Sequence, residues 1–348
     1  GGGWWRRGAA RARGPGQTAP SPRTAPPLLS AGAAGCNGAR RVQACNRQQS
    51  DVISADDPSL MGQREEHAGL DFGRTLHRDE LLSYLESERP QLRGIVHLGA
   101  CTDTTELDVE YLTRVNLDYS RALWQFCTAA QVPLVYASSA ATYGDGAQGY
   151  DDDEGVMAGL KPLNPYGQSK LDFDLWALEQ ESLNLHPPHW SGFKFFNVYG
   201  FGERHKQRMA SVVLQAFDQI RESGRVRLFQ SHHPDYEDGG QMRDFIYVQD
   251  VVRVLLFALT HPIERGIYNL GTGRARSFKE LAEATFKALD AEVQIDYIPT
   301  PEDLRERYQY FTEARMDRLR AAGYDAPFTS LEEGVADYVS RLRSQLEV

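Results

Sequence analysis

Short apolar runs alternate with amphipathic segments over most of this chain. The apolar runs, which predict buried strands, begin near residues 94, 133, 193, 243, 266 and 293. Helical spacing of apolar residues predicts helices over 79–86, 116–130, 166–181, 206–222, 313–323 and 330–345. Strands that alternate with helices are typical of an α/β fold with a doubly wound parallel sheet of the Rossmann type. Ligands of such sheets bind at the carboxyl ends of the strands, which here include residues 99–102 and 138–143.

The region around Ser139 combines a strand end with a candidate catalytic pair. The apolar run 133–137 predicts a strand that ends at Ser139, and Asn164-Pro165 marks a break just before a helix. Tyr166 and Lys170 are four residues apart, so on that helix their side chains face the same way. The reference pKa of tyrosine is about 10, and a nearby ammonium group favours the phenolate. A bare Tyr-x-x-x-Lys spacing also arises by chance, but this context favours proton transfer to and from an alcohol while a nicotinamide takes a hydride.

Residues 1–50 differ in composition from the rest of the chain. They contain eight Arg, nine Gly and five Pro but no Asp, Glu or Lys, whereas the whole chain has a formal net charge of −10. No strand or amphipathic helix is predicted in this segment. Three interpretations fit its composition: an Arg-rich targeting peptide, a disordered arm, or a scrambled or frame-shifted stretch.

A glycine pattern in this segment resembles a nucleotide-binding turn. Gly32, Gly35 and Gly38 have the G-x-x-G-x-x-G spacing, but a functional turn needs an apolar strand before it and a helix with an apolar face after it. The stretch 25–30 ahead of the pattern contains two prolines, and glycine-rich sequences produce such spacings by chance. The pattern is therefore interpreted as a decoy rather than a cofactor loop.

Charge and cysteine content exclude several classes of protein. The acidic net charge argues against an overall nucleic-acid-binding surface, and no run of about 18 apolar residues predicts a membrane span. The four cysteines form no C-x-x-C pair and are too few for a secreted disulfide scaffold, which favours a cytoplasmic setting. The stretch 232–235, His-His-Pro-Asp, has the donor atoms of a metal site, but hydride chemistry needs no metal, so none is predicted.

Longer motifs give the chain a more specific resemblance. These motifs are His97-Leu-Gly-Ala-Cys-Thr-Asp-Thr-Thr-Glu106, Tyr136-Ala-Ser-Ser-Ala-Ala-Thr-Tyr-Gly144, Asn197-Val-Tyr-Gly200, His205-Lys-Gln-Arg-Met-Ala-Ser-Val212, Asn269-Leu-Gly-Thr-Gly273, Arg307-Tyr-Gln-Tyr-Phe-Thr312 and Leu319-Arg-Ala-Ala-Gly-Tyr-Asp325. Over about residues 70–345 the chain resembles the extended short-chain dehydrogenases/reductases. Within them it closely resembles the ADP-glycero-manno-heptose 6-epimerases, which are nucleotide-sugar epimerases.

The resemblance implies a set of site residues. Tyr166 matches the catalytic tyrosine, Lys206 a second acid/base on the opposite face of the sugar, and Ser139 the hydroxyl that holds the substrate oxygen. Lys170 matches the lysine that binds the nicotinamide ribose and tunes the tyrosine. The other cofactor-binding residues that it implies are Leu98, Gly99, Ala100, Cys101, Thr102, Asn116, Val198 and Lys206. The substrate-binding residues that it implies are Asn197, Arg208, Gln215, Phe229, Gln230, Ser231, His232, Arg243 and Tyr308.

The resemblance also implies a reaction, a cofactor and partners. The reaction is the inversion of C6 in ADP-D-glycero-D-manno-heptose to give the L-glycero form, for the inner core of lipopolysaccharide. The hydrogen on that carbon is not acidic, so transient oxidation with bound NADP, or NAD, is the physical solution, and two acid/base residues suit the two orientations of the intermediate. A homopentamer in the cytoplasm is implied, with no nucleic acid or membrane partner.

The front of the chain departs from the family pattern. The family begins with an apolar strand, a Gly-rich turn, a helix and a second strand, none of which is predicted within residues 1–65. That segment is therefore interpreted as aberrant or disordered, in place of the first βαβ unit, so the chain is expected to bind NADP poorly. A nucleotide-binding domain is predicted over 66–200, with later strand contributions near 244–260, and a smaller, mainly substrate-binding lobe over 201–348. Lys194 stands where an arginine is usual, with little effect expected.

Two other functions stay open at this point. Another nucleotide-sugar epimerase or dehydratase would share Ser139, Tyr166 and Lys170, although dehydratases usually carry an acidic pair where Ala140-Ala141 stands. A catalytically dead relative is the second alternative, because the Gly-rich cofactor loop is interpreted as missing.

Overall fold

Strands and helices alternate along the protein, as the hydrophobic pattern predicts. A computed structural model describes residues 26–35, 38–39, 44, 51–62, 64–261, 263–305 and 309–346. The strands are β1 (Leu28–Ala31), β2 (Val52–Asp56), β3 (Arg74–His77), β4 (Gly94–His97), β5 (Leu134–Ser139), β6 (Trp190–Phe195), β7 (Asn197–Tyr199), β8 (Val226–Phe229), β9 (Met242–Tyr247), β10 (Gly266–Leu270), β11 (Ala275–Ser277) and β12 (Ile295–Ile298).

The α-helices lie mostly between these strands. They are α1 (Pro58–Gly62), α2 (Leu81–Glu88), α3 (Val109–Leu112), α4 (Tyr119–Ala130), α5 (Pro165–Ser182), α6 (Val212–Ser223), α7 (Val248–Thr260), α8 (Phe278–Ala288), α9 (Glu302–Arg305), α10 (Asp317–Ala321) and α11 (Leu331–Leu346). Within the described ranges, no helix is both long and apolar enough to cross a membrane.

A seven-stranded sheet forms the centre of the described structure. Its order is β3-β2-β1-β4-β5-β6-β10, and all neighbouring strands run parallel. The strand order reverses between β1 and β4, and in doubly wound sheets ligands bind beyond the carboxyl ends of the strands at such a point. The predicted fold class, an α/β protein with a parallel Rossmann-type sheet, is therefore confirmed.

For the described residues between 26 and 65, the first two strands overturn the prediction of an aberrant or disordered segment. β1 lies in the middle of the sheet, where Leu29 stands opposite Ile53 of β2 and Ile95 of β4. Leu29 is fully buried. Although β1 has only four residues, its backbone is hydrogen-bonded to a strand on each side, which satisfies its buried polar groups. Pro26 and Pro27 stand just before the strand, a place that tolerates proline. Residues 1–25 lie outside the described residues.

The carboxyl-terminal part adds two small sheets and its own apolar core. β9 pairs with β7 and β11, and β8 pairs with β12. Phe217 of α6, Leu281 of α8 and Tyr338 of α11 are fully buried in one cluster there. The domain boundaries at 66–200 and 201–348 stay predictions, but β1 and β2 extend the parallel sheet into the range before residue 66.

The predicted helix over 206–222 is two elements. A 3-10 turn covers Arg204–Met209, and α6 begins only at Val212. Gln207 interrupts the turn with a backbone φ of 47°, a left-handed conformation that non-glycine residues rarely adopt. Local constraints at this segment thus outweigh the helical spacing of its apolar residues.

Candidate active site

Ser139 and Tyr166 reach the same place from two neighbouring elements. Ser139 is the last residue of β5, and its side chain accepts a hydrogen bond from the backbone N–H of Ala141, 3.2 Å away, in the turn that follows. Tyr166 is the second residue of α5. That helix starts where the Asn164 side chain accepts a hydrogen bond from Gly167 N at 2.8 Å, with Pro165 in the first turn.

Burial governs the protonation of this pair. It raises the pKa of Tyr166 above its ordinary value, and a hydrogen bond with Ser139 opposes the rise. Lys170, one turn further along α5, is also buried, which lowers its pKa to about 8. Its Nζ donates to the carbonyl O of Ala137 at 2.9 Å. Desolvation is the largest influence on the pKa of Tyr166, and the expected lowering by the Lys170 ammonium group is not found.

Asn116 holds the loop that follows β4. It is buried in a π-helical turn, Thr113–Asp118, which joins α3 to α4. Its side chain accepts from Cys101 N at 2.8 Å and donates to Cys101 O at 3.1 Å and to Ser169 Oγ at 3.0 Å. Single π turns inside helices occur frequently at functional sites. The structure thus brings the predicted cofactor residues 98–102 next to Asn116 and the start of α5.

The glycine pattern rejected as a decoy directly follows β1, and Gly38 and Ala39 are helical, so the reason for rejecting it is wrong. Gly32 follows β1 directly with φ +82°, and a Cβ atom there would clash with the backbone of Gly99. Gly38 is helical, and a Cβ atom there would clash with the carbonyl of Gly32. A Cβ atom at Gly35 would be 3.7 Å from its nearest neighbour, which leaves the backbone open there. Backbone N–H groups at such a turn and helix start bind phosphates, so the residues fit a dinucleotide pyrophosphate.

Two residues beside this turn were missed by sequence reasoning. Asp56 ends β2, and its Oδ2 accepts from Ala34 N in the glycine turn at 2.9 Å. Arg64 donates to Ala34 O at 2.7 Å. An acidic residue at the end of the second strand is part of the dinucleotide-binding pattern. The run 52–56, Val-Ile-Ser-Ala-Asp, could have indicated it once Gly32 was accepted as a turn.

The segment Arg204–Met209 connects both halves of the molecule. Arg204 N donates to Glu66 Oε1 at 3.1 Å, on the side of the glycine turn. Lys206 is partly exposed, and its Nζ lies 3.9 Å from Oε2 of the buried Glu203. Arg208, two residues further on, donates to Thr105 Oγ1 at 2.5 Å and to Asp103 Oδ2 at 3.4 Å, both in the loop after β4. The Gln215 side chain holds the end of the segment by donating to Ala210 O at 2.9 Å and to Arg208 O at 3.4 Å.

The remaining predicted substrate residues gather in the carboxyl-terminal part. The backbone N–H of His232 donates to the Tyr310 hydroxyl at 2.9 Å, and the same hydroxyl oxygen lies 2.8 Å from Nδ1 of the His232 ring. Met242 N donates to Tyr310 O at 2.8 Å, and Arg243 Nη2 donates to Gln309 O at 2.5 Å. The segment from Gln309 therefore joins the 229–232 stretch, Phe-Gln-Ser-His, to Arg243.

Three further residues were predicted to line the site: Asn197, Val198 and Tyr308. Asn197 is exposed and Val198 half-buried in β7, next to β9. Tyr308 lies outside the described residues. The Gln309 side chain donates to Gly144 O, so the segment after Tyr308 also reaches the loop behind Ser139. No three His, Cys, Asp or Glu side chains in the described part of the chain form a group that could hold a metal ion.

Comparisons with known proteins agree with this geometry. A sequence profile of the NAD dependent epimerase/dehydratase family matches residues 28–271, a region that begins at the first residue of β1. An ADP-L-glycero-D-manno-heptose-6-epimerase of Nitratidesulfovibrio vulgaris (strain DP4) is 45% identical over 311 residues, which cover 88% of this chain and 95% of that relative.

Solved structures of related enzymes are similar to this chain over most of its length. The crystal structure of Helicobacter pylori ADP-L-glycero-D-manno-heptose-6-epimerase has a TM-score of 0.76 and 26% identity, over 92% of this chain and 96% of that one. A structure of MoeE5 in complex with UDP-glucuronic acid and NAD has a TM-score of 0.71 and 26% identity, over 92% and 99%.

Proposed function

Because this chain belongs to the NAD dependent epimerase/dehydratase family, we propose that it is an ADP-L-glycero-D-manno-heptose 6-epimerase. It inverts C6 of ADP-D-glycero-D-manno-heptose by transient oxidation and reduction. The observation that carries the proposal is the hydrogen-bonded pair of Ser139 at a strand end and Tyr166 at a helix start, beside a glycine turn at the point where the strand order reverses. A different nucleotide-sugar epimerase or a dehydratase is not favoured, because the relative with 45% identity is named for this reaction.

Ser139 and Tyr166 act on the substrate hydroxyl. The Ser139 hydroxyl orients the C6 oxygen, and Tyr166 takes its proton as the C6–H bond breaks. A bound nicotinamide supplies a reversible hydride acceptor for that carbon. Tyr166 has a raised pKa in the free protein, so its phenol starts protonated and needs a cationic neighbour to become a base. Lys170 provides that charge from one helical turn away.

Lys206 serves the second orientation of the sugar. After the ketone turns over within the site, a proton must be delivered to an oxygen that faces away from Tyr166. Lys206 is partly exposed in a segment with an unusual backbone conformation at Gln207, and the buried Glu203 carboxylate 3.9 Å away supports its charge. Arg208, Gln215 and Asn197, together with Phe229, Gln230, Ser231, His232, Arg243 and Tyr308, bind the ADP-heptose. Among them the arginines suit the diphosphate, because a guanidinium group forms bidentate bonds with such oxygens.

The cofactor is NADP rather than NAD. The glycine turn holds its pyrophosphate, and Leu98, Gly99, Ala100, Cys101, Thr102, Asn116, Lys170, Val198 and Lys206 line the rest of its site. Asp56 holds the glycine turn, because its two oxygens accept backbone bonds from Ala34 N and Asp57 N. Arg64 lies beside the same turn and supplies a positive charge for a 2′-phosphate.

Conversion of the substrate tests the function directly. Purified protein is incubated with ADP-D-glycero-D-manno-heptose, and the product sugar is identified by NMR and chromatography. We expect the L-glycero epimer at equilibrium, and no epimer from UDP-glucose. Turnover of UDP-glucose with none of the ADP-heptose would refute the assignment.

Retained dinucleotide tests the cofactor. The protein is denatured after purification, and the released nucleotides are measured by mass spectrometry. NADP is expected to exceed NAD, and Arg64→Ala is expected to reverse that order. Arg89→Ala, at the end of α2, is the matched control for loss of one arginine. A preference for NAD in the unaltered protein would overturn this choice.

The proposal also covers the oligomeric state and the cellular compartment of the enzyme. The enzyme is a homopentamer in the cytoplasm and supplies a precursor of the lipopolysaccharide inner core. Light scattering coupled to size exclusion gives the mass of the assembly, and a monomer or dimer at working concentration would contradict the pentamer. The nucleotide-binding domain includes β1 and β2 in addition to 66–200, and the substrate lobe extends over 201–348.

A further inference from the structure

A buried ion pair lies directly behind the predicted catalytic groups. Lys194 of β6 and Asp174 of α5 are both fully buried, and Lys194 Nζ is 2.7 Å from Asp174 Oδ2. Removing two charges from water costs more than their attraction returns unless further hydrogen bonds compensate. Such a pair is therefore a weak source of stability, and its neighbours indicate what else it does.

Those neighbours are the elements that carry the site. Asp174 accepts from the Tyr136 hydroxyl at 3.0 Å and from Ser138 Oγ at 2.7 Å, both on β5. Lys194 donates to Thr142 Oγ1 at 2.8 Å. The Thr142 hydroxyl in turn donates to the carbonyl O of Ser139, also at 2.8 Å. The pair thus binds α5, β5, β6 and the turn after Ser139 to one another.

The pair also acts on Lys170 through space. Asp174 is four residues beyond Lys170 on α5, so the two side chains share a helix face. Its carboxylate raises the pKa of Lys170 against the lowering by burial. Lys170 meanwhile donates to Ala137 O, which lies between the two β5 residues that bond Asp174.

We propose that Asp174 and Lys194 are positioning residues for catalysis, which fix the strand end at Ser139 against the helix that carries Tyr166 and Lys170. This inference rests on the proposed function only in that Ser139, Tyr166 and Lys170 are the reacting groups. Both side chains are fully buried, so each acts through its neighbours.

Four variants separate positioning from fold stability. Lys194→Met leaves a buried carboxylate without its cation and should lower the thermal midpoint, whereas Lys194→Arg keeps the charge and should restore it. The double variant Asp174→Asn/Lys194→Met removes both charges and should recover most of the stability. Its kcat should nevertheless fall by about ten-fold or more with little change in KM, since small misplacements of reacting groups are costly. Asp250→Asn, a fully buried carboxylate on α7 that bonds Thr329, is the control for stability alone.

The pH profile gives a readout that a structural role would not move. The titratable groups around Lys170 are Asp174 and Tyr166 on its own helix, His97 at the end of β4 and Cys101 in the next loop. Burial keeps His97 neutral, with a pKa of about 3, and raises the pKa values of Tyr166 and Cys101. Lys170 is therefore the group that loses its proton first as pH rises above neutrality. In the double variant the fall of kcat on the alkaline side should begin at lower pH.

Cofactor binding provides a test that needs no heptose. The Kd for NADP is measured by fluorescence from neutral to alkaline pH, and the double variant should lose affinity at lower pH than the unaltered protein. A double variant with unaltered kcat and unaltered pH dependence of both quantities would overturn the inference. If that variant does not fold, Ser138→Ala removes one hydroxyl from Asp174 without changing a charge. It should lower kcat while the pH profile stays in place, and an unchanged kcat would overturn the positioning role. Failure of the unaltered protein to epimerise ADP-heptose would refute the proposed function alone.

Discussion

Tyr166 and Lys206 occupy unlike surroundings, and each of them should be needed. Tyr166 is buried and bonded to Ser139, whereas Lys206 is partly exposed beside Glu203. Tyr166→Phe and Lys206→Met should each lower epimerase kcat by at least about 100-fold, because general acid–base catalysis contributes 10²–10⁴-fold. Lys161→Met, an exposed lysine in the loop before α5, is the control. Nearly full activity of Lys206→Met in both directions would contradict a second proton donor.

Ser139 and Lys170 should fail in different ways. Ser139→Ala removes one oriented hydroxyl, so kcat should fall while NADP is retained. Lys170→Ala removes a buried cation that bonds Ala137 O, so both kcat and NADP retention should fall. The dinucleotide released per chain after denaturation measures the difference. Equal loss of NADP in the two variants would refute the separate roles.

The catalytic spacing was readable from the sequence, but its electrostatics were not. Tyr166 and Lys170 one turn apart after a strand that ends at Ser139 are a local pattern. Local patterns survive folding, since a helix fixes the relative direction of residues four apart. The lysine in place of the usual arginine at 194 was expected to have little effect, and its bond to Asp174, twenty residues away along the chain, was not predicted. Sequence spacing carries no information about a partner on a different element.

At the level of elements, the glycine turn should be the most sensitive part of the cofactor site. Gly32 has φ +82° and its Cα hydrogen faces the backbone of Gly99. Gly32→Ala should therefore lower both stability and NADP retention. Gly69→Ala is the matched control, because Gly69 also has a positive φ, +74°, but nothing within 4 Å of an added Cβ. The control should lose about 1 kcal/mol of unfolding free energy and keep its NADP. Equal NADP retention in both variants would show that the turn does not hold the cofactor.

The same turn shows why the first unit of the fold was missed. Leu28–Ala31 is short and follows two prolines, so it lacks the length by which strands are usually recognised. Its stability comes from β2 and β4, which supply hydrogen bonds and apolar cover from residues remote in sequence. The prediction of one helix over 206–222 was wrong for the opposite reason. Its helical spacing was correct for Val212 onward, but contacts to Glu66 and Thr105 hold the earlier residues in a different conformation.

For the whole molecule, two histidines predict sensitivity to acid. Burial lowers the pKa of His97 to about 3, and burial with nearby cations lowers that of His205 to about 4. In the unfolded chain both imidazoles bind protons near pH 6.5, so below that pH the unfolded state holds more protons and stability falls. The thermal midpoint should drop between about pH 7 and pH 5.

A single variant tests the source of that slope. His97→Gln does not titrate, and its amide can still meet Ser120, which His97 contacts at 2.8 Å. The decline of the thermal midpoint with acid should be shallower in this variant than in the unaltered protein. His261→Gln, an exposed histidine at the end of α7, should leave the decline unchanged. An equal slope in all three proteins would assign the acid sensitivity to other groups.

In the described part of the sheet, β2 and β3 join the other strands through β1. A deletion that stops before Leu28 would keep the sheet whole, whereas one that removes Ala31 and everything before it would divide the sheet. β4 would then have an unpaired edge. β2 and β3 would form a separate two-stranded ribbon, in which β2 also has an unpaired edge. Unpaired edges of this kind join to other chains, so the shortened protein should form aggregates rather than a smaller enzyme.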